Sequence, residues 1–270
     1  MLLQRVIAAA VLIVILVPVI LWGRVEGIAI LVGVLSGVGL LEMARVLPEL
    51  KVFPQKQITV LLGPLIAAAF YAAPPAAVLA VPVWMPLLVL LVHLVLYHRI
   101  EKTIESTSQM ILAAAYVAIP LGHAILLRRV DLGVASVFFV LVITCLGDAG
   151  AYFAGRSFGK HHFASSVSPS KTVEGLLGSL AANFVGMLAM KLVVPELPSL
   201  GNLVILTLLL ALSGPVGDLC ASAIKRKAQV KDFGSSIPGH GGLMDRADSL
   251  IFSFPITYYF LVLTGSATLR

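Results

Sequence analysis

Two aspartates three positions apart, Asp245 and Asp248, open an apolar stretch near the end of the chain. Just ahead of them runs Pro238-Gly239-His240-Gly241-Gly242. On a helix, residues i and i+3 share a face, so the two carboxylates project together. Like charges that close repel, and a divalent cation removes the cost. Mg²⁺ in particular takes one or two carboxylates and fills its other positions with water and phosphate oxygens. The plainer alternative is that both acids favour a helix N-terminus through its dipole. That accounts for their position, but not for the glycines and bases beside them. Gly239, Gly241 and Gly242 let the backbone turn tightly and aim N–H groups at an anion. Lys225, Arg226 and Lys231 bring positive charge, and Arg246 can grip a phosphate with two parallel bonds. His240 suits a phosphate contact and an exposed loop position equally. The pattern describes a polyphosphate site organised around a metal.

A second stretch, Ser168-Pro169-Ser170-Lys171-Thr172-Val173-Glu174-Gly175, places hydroxyls and a lysine just before a helix. A helix N-terminus with such neighbours binds phosphate. It is not a P-loop, because the upstream glycines of that motif are missing. Ser-Pro-Ser is also ordinary turn and N-cap chemistry. Two further aspartates, Asp148 and Asp218, lie inside apolar runs, each beside a glycine. An ionisable group at such depth costs roughly 2.5–3.5 kcal/mol unless it is paired, hydrated or bound to metal. A helix–helix hydrogen bond or salt bridge explains Asp148 equally well. For Asp218 that plainer reading is weaker, because it stands one helical stretch before the basic cluster.

The elements that must carry these residues are membrane helices. Of the 270 residues 59% are hydrophobic and 12% charged, against about 45–50% and about 25% in a soluble domain. The mean hydropathy is +1.03. Such a composition excludes a soluble fold, a disordered chain and a disulfide-stapled scaffold; Cys145 and Cys220 read as small buried hydrophobes. About nine transmembrane helices are expected, near 6–22, 28–47, 58–73, 77–97, 110–127, 132–153, 176–194, 202–221 and 249–265. With the N-terminus cytoplasmic, 14 of the 19 lysines and arginines fall on the cytoplasmic side and 5 on the other, which obeys the positive-inside rule. The net charge of +6 is mostly this asymmetry and requires no nucleic-acid partner. The fold class is thus an all-α polytopic membrane protein. Residues 1–131 read as scaffold and lipid-facing wall. Residues 132–270 read as a catalytic core with two cytoplasmic loops, 154–175 and 222–248.

The stretch Ser222 to Asp248 closely resembles the signature of the phosphatidate cytidylyltransferases, or CDP-diacylglycerol synthases. The matching positions are Ser222, Lys225, Arg226, Lys231, Asp232, Pro238, His240, Gly241, Gly242, Asp245, Arg246 and Asp248. Ser168 to Gly175 is similar to a second motif of that family, and Gly147-Asp148 through Gly155-Arg156 to Gly159-Lys160 looks like a third. The resemblance covers about 147–252. It implies transfer of CMP from CTP to phosphatidic acid, giving CDP-diacylglycerol and pyrophosphate for phospholipid biosynthesis. It further implies a multi-pass homodimer in the bacterial cytoplasmic (inner) membrane, with its active site on the cytoplasmic side.

On that reading Asp218, Asp245 and Asp248 hold Mg²⁺ and, with it, room for a second cation. Lys225, Arg226 and Arg246, with Asp245 and Asp248, form the catalytic group. Ser168, Lys171, Thr172, Lys231, His240, Gly241 and Gly242 bind substrate. A phosphate monoester is already anionic at neutral pH, so the attack needs positioning and charge stabilisation more than a base. Two other readings stay open. One is a related CTP-dependent lipid enzyme, such as a CDP-archaeol synthase or a polyprenol kinase. The other is a transporter using Asp148 and Asp218 as intramembrane ion sites.

Overall fold

Proline and glycine punctuate an otherwise helical chain. The computed structural model describes residues 2–51, 54–96, 100–164, 167–237, 239 and 241–268. Helix α1 (Leu2–Trp22) ends at Gly23, and α2 (Arg24–Val46) ends at an extended Leu47. The next residue is Pro48, which disfavours helical geometry in the residue before it. Helix α3 (Gln55–Ala72) stops before Pro74 in the same way, and a four-residue α4 (Pro75–Val78) leads into α5 (Val81–Leu96). Helices α6 (Thr103–Ala113) and α7 (Ile119–Arg128) are joined by a π-helical turn, Ala114–Ala118. Pro120 has no N–H to return to the preceding turn, and a widened turn absorbs that defect. Four helices complete the chain: α8 (Gly133–Phe158), α9 (Val173–Val193), α10 (Leu200–Lys227) and α11 (Met244–Leu263). Among the described residues there is no strand, only the isolated bridges His162–Thr172 and Ile237–Gly241.

Eight of the nine apolar stretches expected from the sequence fall on helix apart from their end residues, and the stretch 77–97 is divided by a turn at Leu79–Ala80 between α4 and α5. Among the described residues five helical runs are long and apolar enough to cross a membrane: α2, the continuous Thr103–Arg128, α8, α9 and α10. Large apolar side chains stay exposed on several helices, including Val14, Ile30, Leu94, Val185 and Leu192. Lipid rather than water is the solvent such surfaces tolerate. Cys145 belongs with them: it is exposed on α8, not buried as expected. An apolar thiol is at ease against hydrocarbon.

The chain divides into two compact units. The first holds residues 1–126 and 228–246. Here α2 and α3 pack so closely that a Cβ on Gly63 would stand 2.6 Å from the Gly37 nitrogen. Phe70 lies edge-on to His123 at 5.3 Å. The second unit holds residues 127–227 and 247–270. Its centre is an antiparallel pair, α8 and α9, in which small residues let the backbones meet. A Cβ on Gly150 would stand 2.5 Å from the Gly178 carbonyl oxygen. Small residues facing one another are the usual means of close helix packing in lipid. Phe139, Ile143, Met187, Leu203, Leu206 and Leu210 fill the interior between α8, α9 and α10.

Both polar loops are shorter than the sequence suggests. Helix α8 runs on through Gly155-Arg156 to Phe158, leaving 159–164 and 167–172 outside helix. Helix α10 runs on through Ser222, Lys225 and Arg226 to Lys227. The extension has a simple cause: Ala-Ser-Ala-Ile-Lys-Arg-Lys contains no breaker, and basic residues in a last turn complement the helix dipole. The chain then reverses at Gln229, which takes a left-handed φ of 58°.

Candidate functional site

In the second unit, the site grows from the ends of α9 and α10. Thr172 is buried and caps α9, its hydroxyl oxygen accepting the Gly175 N–H at 3.1 Å. Glu174 folds back on the preceding loop. It accepts the Lys160 and His161 N–H groups at 3.1 and 3.2 Å and pairs with the His161 ring at 2.6 Å. The loop is pinned at both ends, and that fixes Lys171. The Lys171 Nζ reaches Asp218 Oδ2 at 2.5 Å. Asp218 Oδ1 accepts from Ser222, one turn further along α10, at 3.3 Å. Arg226 donates from Nε to the Val167 carbonyl at 3.4 Å, next to the half-buried Ser168.

Gly217 explains how a second carboxylate comes near. A Cβ there would collide with the Asp248 carbonyl, so its absence lets α11 approach α10. Asp248 is buried, and its Oδ1 accepts the Ser249 N–H at 2.7 Å. It lies close enough to Asp218, Asp148 and Lys225 to feel their charges. One unit thus sets acids and bases alternately in a small volume. Among the described residues, no three His, Cys, Asp or Glu side chains converge as a ready-made metal cage. Asp218 and Asp248 are two carboxylates of this unit that repel each other, with Asp148 within range of Asp248. Hard oxygens in that number fit Mg²⁺, which keeps its remaining positions for water and phosphate.

The first unit carries the other half of the motif. Gly239 and Gly241 take left-handed φ values of 76° and 89°, which only glycine adopts without strain. The Ile237 N–H closes the turn on the Gly241 carbonyl at 2.9 Å. Asp245 Oδ2 accepts two backbone N–H groups, Phe233 at 2.9 Å and Gly242 at 3.1 Å. Lys231 and Arg246 are exposed. Beneath the loop stands a residue that reading the sequence passed over. Glu42, on α2, is fully buried and accepts the Leu243 and Met244 N–H groups at 2.9 Å each. It caps α11, the helix bearing Asp245 and Asp248.

A family model described as "Cytidylyltransferase family" matches residues 3–264. The chain belongs to the cytidylyltransferase family. Among its relatives, the phosphatidate cytidylyltransferase of Bacillus subtilis (strain 168) is 38% identical over 162 residues, covering 60% of this chain and 60% of that protein. The enzyme of the same name from Staphylococcus saprophyticus is 38% identical over 152 residues, covering 56% and 58%. That from Staphylococcus aureus (strain COL) is 37% identical over 152 residues, with the same coverage. The chain thus spans about three fifths of the length of the curated relatives it matches.

Within this cytidylyltransferase-family chain, the expected site residues sort by unit. Ser168, Lys171, Thr172, Asp218, Lys225, Arg226 and Asp248 lie in the second unit, and Lys231, Gly241, Gly242, Asp245 and Arg246 in the first. His240, with Pro238, lies outside the described residues. Several residues expected to face substrate have internal partners: Lys171 pairs with Asp218, and the Gly241 carbonyl accepts from Ile237. The Thr172 hydroxyl caps α9, and the Gly242 N–H donates to Asp245. The signal for Glu42 was present in the sequence: an acid inside an apolar run, which by default marks a functional position.

Proposed function

We propose that the chain transfers CMP from CTP to phosphatidic acid, releasing pyrophosphate and leaving CDP-diacylglycerol in the bilayer. The observation that carries this reading is the Lys171–Asp218 pair, with buried Asp248 beside it on helix ends rich in Lys and Arg. A phosphate oxygen of phosphatidate attacks the α-phosphorus of CTP. The new P–O bond forms as the bond to the β-phosphate breaks, and both electrons leave with pyrophosphate. The monoester is largely dianionic at neutral pH, so no proton has to be removed first. What the protein must supply is relief of anion–anion repulsion. Lys171, Lys225 and Arg226 would hold phosphate oxygens, with Ser168 and Thr172 shaping the loop that carries Lys171. Lys231, Arg246, His240 and the Gly241-Gly242 backbone would bind substrate as well.

Asp218, Asp248 and Asp245 would hold Mg²⁺, with a second cation allowed. When bound, the ion neutralises charge developing on the phosphates. The membrane architecture belongs to the same proposal: nine crossings, a cytoplasmic N-terminus, and an active site on the cytoplasmic face of the inner membrane. Diacyl tails then stay in lipid while the headgroup meets soluble CTP. The homodimer rests on the family resemblance alone.

The test uses detergent-purified protein with phosphatidic acid, Mg²⁺ and CTP labelled at the α- or the γ-phosphorus. EDTA-sensitive entry of α-label into lipid, matched by pyrophosphate, is the expected result. Entry of γ-label with CDP left behind would make the chain a lipid kinase. No turnover by well-folded protein, with ion flux in liposomes, would make it a transporter.

A further inference from the structure

The loop that carries Gly241, Gly242 and Asp245 is held partly by its own bonds and partly from outside. Its backbone hangs on Glu42, which arrives from α2, about two hundred residues earlier in the chain. The contact is built from both sides. On the side of α2, the carboxylate is fully buried and each oxygen accepts one N–H at 2.9 Å. On the side of the loop, two glycines make room for it. A Cβ on Gly234 would stand 2.9 Å from Glu42 Oε1, and a Cβ on Gly242 would stand 2.7 Å from Oε2 and 3.0 Å from Asp245 Oδ2. Every one of these groups belongs to the same compact unit.

Two of the N–H groups at the start of α11 therefore end on a carboxylate from another helix, where an anion also suits the helix dipole. Asp245, the second residue of α11, closes the same loop by accepting from Phe233 and Gly242. The two acids divide the work. Glu42 fixes the start of the helix, and Asp245 keeps one oxygen on the loop backbone.

We propose that Glu42 is a positioning residue for the cytidylyl transfer, acting through the N-terminus of α11 and the Gly234–Gly242 loop on the orientation of Asp245. The inference rests on the reaction proposed above and adds to it a residue that touches no substrate. Loss of an outer partner that orients a metal-binding group typically costs about 10–100-fold in metal affinity or activity.

The experiment compares the wild type with Glu42→Gln, Gly234→Ala, the double variant and Glu49→Gln. Glutamine keeps the shape but turns an NH₂ toward one of the two N–H donors. Gly234→Ala keeps the carboxylate and presses it aside. Glu49, which pairs with Lys102 at 3.0 Å, serves as the control. The expected result for Glu42→Gln is a kcat lowered about 10–100-fold, CTP KM within about threefold of wild type, and faster hydrogen exchange confined to 233–248. Gly234→Ala should behave alike, the double variant no worse than the worse single, and Glu49→Gln like wild type. Wild-type kcat in Glu42→Gln, or additive losses in the double variant, would overturn the proposal. If Glu42→Gln does not fold, Gly234→Ala decides alone: lowered kcat at a normal melting temperature supports the role, and normal kcat removes it. Absence of cytidylyl transfer in the wild type would instead sink the reaction, and the positioning role with it.

Discussion

Replacing Lys171 by methionine separates two roles that the same contact could serve. The Lys171 Nζ sits 2.5 Å from Asp218 Oδ2, with 24% and 30% of the two side chains exposed. For unit charges about 4 Å apart at an effective dielectric of about 20, Coulomb's law gives about 4 kcal/mol. Partial exposure and the ordering of a long side chain reduce the net value to about 1 kcal/mol. Lys171→Met should therefore lower the melting temperature only by a few degrees. Its effect on a cation is larger and of opposite sign. A unit positive charge near a dication, well screened by solvent, would oppose its binding by about 1–2 kcal/mol. Removing it should tighten apparent Mg²⁺ binding roughly tenfold, since Asp218 and Asp248 lose their built-in counter-ion. Turnover should move the other way. Losing one charged donor to a transferring phosphate costs about 10²–10³ in kcat. The assay pairs a Mg²⁺-dependent thermal shift at low ionic strength with label transfer from CTP into lipid. A variant with weaker Mg²⁺ response, or with turnover within threefold of wild type, would refute the reasoning. Lys171 would then be a plain structural partner of Asp218.

Other outcomes follow from the same geometry. Asp248→Asn leaves the Ser249 contact possible but removes the charge, so turnover should fall by orders of magnitude while the protein stays monodisperse; near-normal turnover across a Mg²⁺ titration would remove Asp248 from the metal site. Thr172→Ala deletes the α9 N-cap and should cost about 1 kcal/mol of stability. Thr172→Ser should restore the melting temperature, and an effect on CTP KM equal to that of Lys171→Met would show direct substrate contact instead. Gly217→Val forces α11 away from α10 at Asp248, so both stability and turnover should drop, by about 1–3 kcal/mol for the former. Unchanged turnover in that variant would show that the separation of Asp218 and Asp248 does not matter.

Helices were legible in the sequence because hydropathy and proline spacing are local properties, although the stretch 77–97 divides at a turn between α4 and α5. Their ends were less so. Arg156 and Lys225 look like loop residues to a reader following polarity. The backbone instead continues through them, because nothing in Gly-Arg-Ser-Phe or Ala-Ile-Lys-Arg-Lys ends a helix, and polar side chains on a final turn reach water unaided. The chemistry of Asp218 and Asp248 was legible from charge at depth. The device that brings them near each other, a missing Cβ at Gly217, was not, because a close approach between helices is a tertiary fact.

Glu42 shows the harder limit. From the sequence, α2 is an apolar segment of scaffold, and the glycines at 239–242 are a cradle for phosphate. The structure gives those glycines unequal duties. Gly239 and Gly241 serve the turn through their positive φ, whereas Gly234 and Gly242 clear space for a carboxylate from α2. A loop with four glycines loses much conformational entropy on ordering. It needs an external clamp if an aspartate on the following helix is to hold a fixed direction. A lysine or arginine could not provide that clamp, since the groups to be held are N–H donors. A neutral acceptor would hold them without favouring the positive end of the dipole. A buried acid on a neighbouring helix meets both requirements, which is why an ionisable residue persists at a depth where it would otherwise be costly.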